Sequence, residues 1–276
     1  MPRVAAIQMT STADLQKNLR TAKKLIEQAA AQGAQLAVLP ENFALMGNSE
    51  TDKINICEQA GKGVIQNFLA EQAEKNNIWL VGGTIPLAAS DANKVRAACL
   101  VYNSQGKAIA RYDKIHLFDV CVEAGIEEHH ESRSIEAGNN ITIVDTPVGR
   151  LGLAVCYDIR FPELFRLMLQ HKVEIIALPA AFTFTTGQAH WEILTRARAI
   201  ENFCFLIGAC QTGAHENGRK TFGHSVIIHP WGNLLAEQAV GEGIIVAELN
   251  LTQQQAIRKR VPIMQHQRIR IINPFI

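Results

Sequence analysis

The sequence predicts an α/β protein, a four-layer α-β-β-α sandwich with an internal two-fold pseudo-repeat. Strands and helices alternate along the chain, and the same order of elements occurs twice. Short segments of the two halves also match: LAVLPENF corresponds to IIALPAAF, and LVGGT corresponds to LIGAC. The offset is 126 residues both for Thr84 and Cys210 and for Gly106 and Gly232. Because each helix must bury one face on a sheet, two such halves predict two stacked sheets with helices outside.

The first half is predicted to run strand, helix, strand, helix, strand and hairpin. Its strands are RVAAIQM, AQLAVLPENF and IWLVGGT, which are apolar and bounded by polar or turn residues. Its helices are predicted where apolar residues recur every three to four positions, from Leu15 to Ala29 and from Val64 to Asn76. The hairpin consists of AACLVYN and AIARYD around the turn SQGK.

The second half repeats this order and then adds a tail. Its strands are RLGLAVC, VEIIALPAAF and FLIGAC, and its helices are PELFRLMLQH and the segment from Gln188 to Asn202. The hairpin consists of GHSVIIH and LLAEQA around the turn PWGN. A strand, GIIVAEL, and a helix from Leu251 to Arg260 follow. We expect residues 1–276 to form a single domain, with the tail over about 251–276 packing on a partner subunit.

The composition narrows the class of partner. With 27 basic and 26 acidic residues the net charge is +1, so the basic excess typical of nucleic-acid-binding or membrane-binding proteins is missing. The N-terminus leads directly into a strand pattern without a signal-peptide core, and no apolar run reaches 18 residues. These features predict a cytoplasmic protein that acts on a small molecule.

The cysteines and histidines do not predict a metal site. The six cysteines contain no CxxC pair, and none has a histidine at ligand spacing. One cluster is worth testing against the structure, formed by Cys121, His129, His130 and Glu131. Adjacent histidines in a polar loop usually face solvent, so we expect no metal here.

The stretch GRLGLAVCYDIRFPE places a cysteine at the end of a buried strand. The apolar pattern stops at Cys156, and Pro162 then begins a helix. A strand-to-helix turn is where a nucleophile would be held, but a buried thiol can also be a small apolar core residue. Both interpretations stay open from position alone.

The pseudo-repeat points to a carboxylate near that thiol. The second half has Leu178-Pro179-Ala180 where the first has Leu39-Pro40-Glu41, so the turn itself does not require the acid. Glu41 is therefore predicted to be a functional group at the site-facing end of a strand.

The group that activates Cys156 is less obvious. His116, His190 and His224 could serve as a base, although none lies in a recognisable cysteine–histidine motif. Lys114 in RYDKIHLFD could supply a cation for a thiolate or an oxyanion, or could be an ordinary solvated lysine.

Three blocks together resemble the nitrilase superfamily of carbon–nitrogen hydrolases. They are LPENF with Glu41, RYDKIHLFDV with Lys114 and GLAVCYDIRFPEL with Cys156, at spacings of 73 and 42 residues. The resemblance implies a Glu-Lys-Cys triad, an α-β-β-α sandwich, a homodimer or higher oligomer and no cofactor. It also implies a second carboxylate, which Glu131 matches.

The resemblance implies roles for these groups. Glu41 would transfer protons, Cys156 would form a thioester, and Lys114 with the backbone N–H of Tyr157 would hold the oxyanion. Glu131 would orient Lys114 and balance its charge.

Within the superfamily the chain is similar to the Nit branch. AFTFTTGQAHWEILTRARAIEN and GHSVIIHPWGNLLAE carry that similarity, and RARAIEN with ACQTGAHENGR is more similar to deaminated glutathione amidases than to ω-amidases. The implied substrate is deaminated glutathione, with α-ketoglutaramate or α-ketosuccinamate as the ω-amidase alternative. True nitrilase activity and a catalytically silent interaction module are further alternatives.

An anionic substrate predicts cations beyond Lys114. We expect Arg160 to bind a carboxylate, with a structural ion pair to Asp158 or Glu163 as the alternative. Phe182, Thr183 and His190 match pocket-lining blocks. Cys121 stands where the branch usually has an acidic residue, in a loop over 119–131 expected to cover the site and influence substrate preference. It is either a passive loop residue or an oxidation-sensitive thiol.

Overall fold

A computed structural model describes residues 1–49, 51–123 and 127–269. The strands of these residues are β1 (Arg3–Gln8), β2 (Leu36–Val38), β3 (Trp79–Val81), β4 (Ile85–Ala88), β5 (Val95–Tyr102), β6 (Ala108–Asp113), β7 (Asp119–Glu123), β8 (Glu127–His130), β9 (Ile143–Thr146), β10 (Gly149–Leu153), β11 (Ile175–Ala180), β12 (Phe205–Cys210), β13 (Thr212–Ala214), β14 (Lys220–Phe222), β15 (Ser225–Ile228), β16 (Leu234–Gln238) and β17 (Gly243–Glu248). The α-helices are α1 (Leu15–Ala31), α2 (Asp52–Asn55), α3 (Val64–Lys75), α4 (Pro162–Gln170), α5 (Phe184–Asn202), α6 (Leu251–Arg260) and α7 (Ile263–His266).

The strands form two large sheets whose orders confirm the pseudo-repeat. In the described residues the first sheet has the order β17-β1-β2-β3-β5-β4, with β6 also paired to β5, and the second has the order β16-β15-β12-β11-β10-β9. In the first sheet β1, β2 and β3 are parallel, and β5 and β6 continue antiparallel. In the second sheet β10, β11 and β12 are parallel, and β15 and β16 continue antiparallel. Each half therefore builds the same five-strand unit.

The burial pattern shows how the layers are arranged. Val4 and Ala6 of β1 lie in the apolar layer that also contains the second sheet, whereas Ala5 and Ile7 pack with helices α1 and α3. Successive residues of a strand point to opposite faces, so β1 separates an inner layer from an outer one. The sheets thus pack face to face with helices outside, and the predicted α-β-β-α sandwich is confirmed.

Several elements differ from the sequence prediction. Strands β4, β9, β13 and β14 and the hairpin of β7 and β8 were not anticipated, because each is short and pairs with one neighbour at a sheet edge or outside the two sheets. Helix α5 begins at Phe184 rather than Gln188, since the Thr183 side chain caps it by accepting from the Thr186 N–H. This earlier start brings the helix N-terminus to the carboxyl end of β11.

The strand and the helix predicted after the second hairpin are both present. Strand β17 pairs antiparallel with β1, and α6 spans the predicted residues. The segment 270–276, part of the tail expected to contact a partner, lies outside the described residues, as does 124–126 of the loop expected to cover the site. No helix in the described chain combines the length and apolar character needed to span a bilayer.

Candidate active site

A buried lysine bridges two carboxylates at one end of the sandwich. Lys114 follows β6, and its Nζ donates to Glu41 Oε1 at 2.8 Å and to Glu131 Oε2 and Oε1 at 2.8 and 3.0 Å. The lysine and Glu41 side chains are 2% and 3% exposed. Isolated charges could not be buried so deeply, so the three side chains form one mutually dependent group.

Glu41 is positioned by both halves of the molecule. It follows β2 of the first sheet, and Leu39 donates its N–H to the Val81 carbonyl of β3 at 2.9 Å. From the second half, Gln211 Nε2 donates to the Glu41 carbonyl at 3.0 Å and to Ser11 Oγ at 2.8 Å. Gln211 is fully buried and thus fixes the Glu41 backbone across the junction of the two sheets.

Cys156 lies at a tight turn after β10. It opens a 3₁₀-helix over Cys156–Arg160 and has φ of +46°, a left-handed conformation that non-glycine residues rarely adopt. The Asp158 carboxylate holds the turn, accepting from the Val155 N–H and the Tyr112 hydroxyl at 2.7 Å each. The backbone N–H of His116 adds a third bond at 3.1 Å.

The surroundings of Cys156 favour the protonated form of its thiol. Burial raises the pKa of the Cys156 thiol, the Glu41 charge raises it further, and the Lys114 charge and the Ala181 N–H lower it only in part. The resulting pKa lies well above the usual range, so the thiol is protonated at neutral pH. Attack therefore requires a base rather than a preformed thiolate.

The lysine keeps its charge. Burial lowers the pKa of Lys114, but the charges of Glu131 and then Glu41 outweigh burial and raise it well above its usual value. For Glu131, burial raises the pKa, but the charges of Lys114 and then Lys53 lower it by more. The net effect is a lowered pKa. The group therefore carries a lysine cation next to an ionised Glu131.

A cavity opens onto these groups. Its walls come from the first-half strand ends, the 119–131 hairpin and the segment after β11, and they are formed by Glu41, Asn42, Lys53, Lys114, Phe118, His129, Glu131, Cys156, Tyr157, Ala181, Phe182, Thr183, Thr186 and Arg219. A carboxylate, a cation and a thiol thus share one concave site, which is the arrangement expected for covalent hydrolysis of an acyl compound.

Comparison with known proteins agrees with this geometry. The sequence profile of the family described as carbon-nitrogen hydrolase matches residues 3–259. The chain belongs to the carbon–nitrogen hydrolase family. This membership supports an enzyme that cleaves carbon–nitrogen bonds.

Two curated relatives of this carbon–nitrogen hydrolase carry the same name. The deaminated glutathione amidase of Synechocystis sp. is 40% identical over 265 residues, covering 95% of this chain and 96% of that protein. The human deaminated glutathione amidase is 38% identical over 272 residues, covering 97% of this chain and 83% of that protein.

Solved structures support the same family. Nit3 of Saccharomyces cerevisiae, described as a member of branch 10 of the nitrilase superfamily, has a TM-score of 0.87 and 31% identity and covers 97% of both chains. The NitFhit protein of Caenorhabditis elegans has a TM-score of 0.87 and 38% identity, and the match covers 97% of this chain and 65% of that one. This chain therefore spans just under two thirds of the NitFhit chain.

The substrate-binding residues predicted for the hydrolase fall into two groups. Phe182 and Thr183 line the cavity, whereas Arg160 and His190 are not among its lining residues. Arg160 Nη1 lies 3.3 Å from His190 Nδ1, and its guanidinium lies over the Phe182 ring at 5.2 Å. Arg160 therefore lies against two residues of the cavity wall, Tyr157 and Phe182, and its contact with His190 differs from the alternative ion pair with Asp158 or Glu163.

The histidines considered as bases are engaged elsewhere. His116 Nδ1 lies 2.7 Å from Asp158 Oδ1, and its ring stacks on Phe161 with centroids 3.7 Å apart. His224 Nδ1 lies 2.5 Å from Glu237 Oε1. Like His190, neither lines the cavity, whereas Glu41 does.

Cys121, His129, His130 and Glu131, the cluster considered as a metal site, do not converge on one point as metal ligands would. The Glu131 carboxylate accepts from Lys114 and from the Phe118 N–H at 2.7 Å, while Cys121 is exposed. The described residues contain no group of three or more His, Cys, Asp or Glu side chains that could hold a metal ion.

Sequence reasoning missed several residues that shape the site. Lys53 and Arg219 are two further cations in the cavity wall, and Asn42, Phe118, His129 and Thr186 also line it. Arg219 lies in the block ACQTGAHENGR that carried the resemblance, so that block contained a usable signal. Lys53 lies in the short helix α2 within a long loop, where local pattern gives no indication of its position.

Proposed function

We propose that this carbon–nitrogen hydrolase is an amidase that cleaves deaminated glutathione, a metabolite-repair reaction. The observation that carries the proposal is the Lys114 ammonium, 2.8 Å from both Glu41 and Glu131, in the cavity that also exposes Cys156. The names of the Synechocystis and human relatives support this substrate. The products are α-ketoglutarate and cysteinylglycine.

The first half of the reaction acylates the cysteine. Glu41 accepts the thiol proton as Cys156 attacks the amide carbon, which matches a thiol whose pKa is raised and which therefore needs a base. The Lys114 ammonium and the backbone N–H of Tyr157 stabilise the oxyanion. Glu41 then returns the proton to the departing nitrogen, which releases cysteinylglycine and leaves an α-ketoglutaryl thioester on Cys156.

The second half hydrolyses this thioester. Glu41 takes a proton from a water molecule, the resulting hydroxide attacks the thioester carbon, and the same donors hold the oxyanion. The C–S bond then breaks, and the sulfur recovers a proton from Glu41. Glu41 passes the thiol proton to the departing nitrogen and a water proton back to the sulfur, the product acid releases its proton to solvent, and water is the only co-reactant.

Glu131 acts as a positioning residue in this scheme. Its two oxygens contact Lys114 Nζ, and it also accepts from the Phe118 N–H, so the ammonium is held in one place. Because its pKa is lowered, it stays ionised and offsets the lysine charge when Glu41 is protonated.

The test is a turnover assay with deaminated glutathione and α-ketoglutaramate side by side, with Cys156→Ala as the blank. We expect kcat/KM for deaminated glutathione to exceed that for α-ketoglutaramate by about tenfold or more. A ratio well below one would instead make the protein an ω-amidase, and no turnover of either substrate above the blank would reject the substrate assignment.

A further inference from the structure

Two cations of the cavity wall take no part in the reaction described above. Lys53 and Arg219 both line the cavity, and they come from different halves of the chain. The substrate proposed above carries one carboxylate on each side of its scissile amide, on the α-keto acid arm and on the terminal glycine. The substrate therefore has two carboxylates, and the described cavity wall has two cations besides Lys114.

Arg219 has an unused donor inside the protein. Its Nη2 donates to the Ala181 carbonyl at 2.9 Å, which fixes the guanidinium against the segment after β11. Its Nε is buried and finds no hydrogen-bond partner among the described residues. A buried N–H of a charged group is costly to leave unpaired, so the guanidinium, which lines the cavity, is not satisfied by the protein alone.

The surroundings of Arg219 also favour an anion. Thr183 caps helix α5, and its hydroxyl lies 2.9 Å from that of Thr186; both residues line the cavity with Arg219. The N-terminus of this 19-residue helix therefore meets the cavity beside the guanidinium. Helix N-termini attract carboxylates through their free N–H groups and dipole.

Lys53 lies at a different part of the cavity wall from the nucleophile's turn. It lines the catalytic cavity together with Asn42, which follows Glu41 directly, and these two residues also line an adjacent small pocket that includes neither Cys156 nor Arg219. Burial raises the pKa of Glu131, but the charges of Lys114 and then Lys53 lower it. Lys53 is thus associated with the Glu41 and Glu131 part of the site.

The chemistry decides which arm of the substrate meets which cation. The departing nitrogen must lie next to Glu41 because Glu41 protonates it, and the leaving group then extends toward Asn42 and Lys53. The acyl arm stays on Cys156 and extends the other way. Arg219 donates to the Ala181 carbonyl, and the Ala181 N–H lowers the pKa of Cys156, so Arg219 and the nucleophile meet the same residue of the cavity wall.

We propose that Arg219 binds the carboxylate of the acyl arm and Lys53 binds the carboxylate of the leaving group, so that the site selects amides with an anion on each side. This inference rests on the proposed function and assigns its specificity to two residues. Lys53 distinguishes deaminated glutathione from a primary amide, since α-ketoglutaramate has no carboxylate on its leaving group. Arg219 serves both substrates alike.

The experiment compares Arg219→Gln and Lys53→Gln on three substrates. These are deaminated glutathione, the same compound with its terminal carboxylate converted to an amide, and α-ketoglutaramate. We expect Arg219→Gln to lower kcat/KM for all three by about tenfold or more. Lys53→Gln should cause a loss of that size for deaminated glutathione alone, mainly through KM, and so remove its advantage over the other two.

Matched controls separate binding from general charge effects. Lys220→Gln and Lys62→Gln remove exposed lysines from neighbouring parts of the chain and should leave all three kcat/KM values unchanged. Equal losses for Lys53→Gln on the three substrates would show that it acts through Glu131 and would overturn its assignment. An unchanged kcat/KM for Arg219→Gln on α-ketoglutaramate would overturn the assignment of Arg219.

A binding measurement keeps this inference separate from the proposed function. In the Cys156→Ala background, the affinities of the same three compounds should show the same pattern of losses as the turnover assay. If the unmodified enzyme hydrolyses none of them but the pattern holds in binding, the proposed function fails and the two binding assignments stand. If the pattern is missing in binding, the assignments fail whatever the turnover.

Discussion

Cys156 occupies a strained backbone conformation, and Asp158 explains how the chain maintains it. A non-glycine residue at φ of +46° costs about 1–3 kcal/mol and persists only where the surroundings enforce it. Asp158 is completely buried and bonds the Val155 N–H, the Tyr112 hydroxyl and the His116 N–H, which ties the turn to the end of β6. Asp158 thereby holds Cys156 and Lys114 in register.

At the same scale, Glu41→Gln should affect thiol acidity and turnover in opposite directions. Burial and then the Glu41 charge raise the pKa of Cys156, so removing that charge lowers the pKa and increases the thiolate fraction at a given pH. We expect the pH midpoint for alkylation of Cys156 by iodoacetamide to move to lower pH. Amide turnover should nevertheless fall by about 10²–10⁴ because the general base is lost.

Alkylation is followed by mass spectrometry of the peptide that contains Cys156, since five other cysteines are present. Glu58→Gln is a suitable control, because Glu58 is a buried carboxylate that bonds the N–H groups of Ile65 and Gln66, outside the catalytic cavity. A midpoint that stays unchanged or rises in Glu41→Gln would contradict the proposed proton transfer between Glu41 and Cys156.

At the scale of elements, the loop after β3 supports the turn that carries Glu41. Gly83 has φ of +58°, and a Cβ atom there would lie 2.1 Å from the Pro40 carbonyl oxygen. Only glycine allows the two loops to approach this closely. The position of Glu41 therefore depends on a residue more than forty positions further along the chain.

Gly83→Ala should reduce both stability and activity. The left-handed backbone costs about 1–2 kcal/mol for alanine, and displacement of Pro40 brings the expected loss in the free energy of unfolding to about 3 kcal/mol or more. Because Glu41 would shift with Pro40, kcat should fall by about tenfold or more. Urea unfolding and the turnover assay measure the two effects.

Gly61→Ala is the matched control for this substitution. Gly61 has φ of +82°, but a Cβ there meets nothing within 4 Å, so only the backbone cost applies. Equal unfolding losses for the two variants, with normal turnover in Gly83→Ala, would show that the contact with Pro40 does not hold Glu41.

The central elements were predictable from sequence because their patterns are local. Buried parallel strands such as β11 are continuous apolar runs, and helix α4 shows both its N-terminal proline and its apolar face. Edge strands such as β4 and β9 carry weaker patterns. The start of α5 was missed because its capping threonine lies five residues before Gln188, the first residue predicted to be helical.

Site residues marked by a local sequence pattern were predictable, whereas those brought to the site by long-range contacts were not. Glu41 stands out against Ala180 of the pseudo-repeat, and the three motif blocks identify Lys114 and Cys156. Lys53 and Gln211 contribute through long-range contacts, and no local pattern encodes such contacts. Arg160 was chosen for its proximity to Cys156 in sequence, and the 3₁₀ turn places its guanidinium over the Phe182 ring, outside the cavity-lining set.

At the scale of the whole molecule, an apolar surface on the second half predicts self-association. Ile193 on α5 is 69% exposed, and Trp231 before β16 is 54% exposed. Ile200 on the same helix and Leu234 and Leu235 on β16 are also exposed. Trp231 stacks on Phe203 at the end of α5, so helix and hairpin form one continuous surface. We expect a second copy of the chain to cover this surface, because the resemblance to the nitrilase superfamily implies a homodimer or higher oligomer.

We therefore expect the protein to sediment as a dimer or larger assembly at micromolar concentration. Ile193→Glu should shift the population toward monomer by placing a charge in the surface between copies. Val64→Glu introduces the same charge at a position 57% exposed on α3, over the first sheet, and should leave the assembly unchanged. A wild-type chain that sediments as a monomer would contradict this prediction.

The division of the site between the two halves has a consequence for how the enzyme can be tuned. Glu41, Lys114 and Glu131 belong to the first half, while Cys156, Ala181 and Arg219 belong to the second, and Gln211 connects them by its bond to the Glu41 carbonyl. The distance between proton acceptor and nucleophile is therefore set by the thickness of the apolar layer between the sheets. Substitutions of inward-facing strand residues such as Val38 or Leu153 offer a way to adjust reaction geometry without altering any group that meets the substrate.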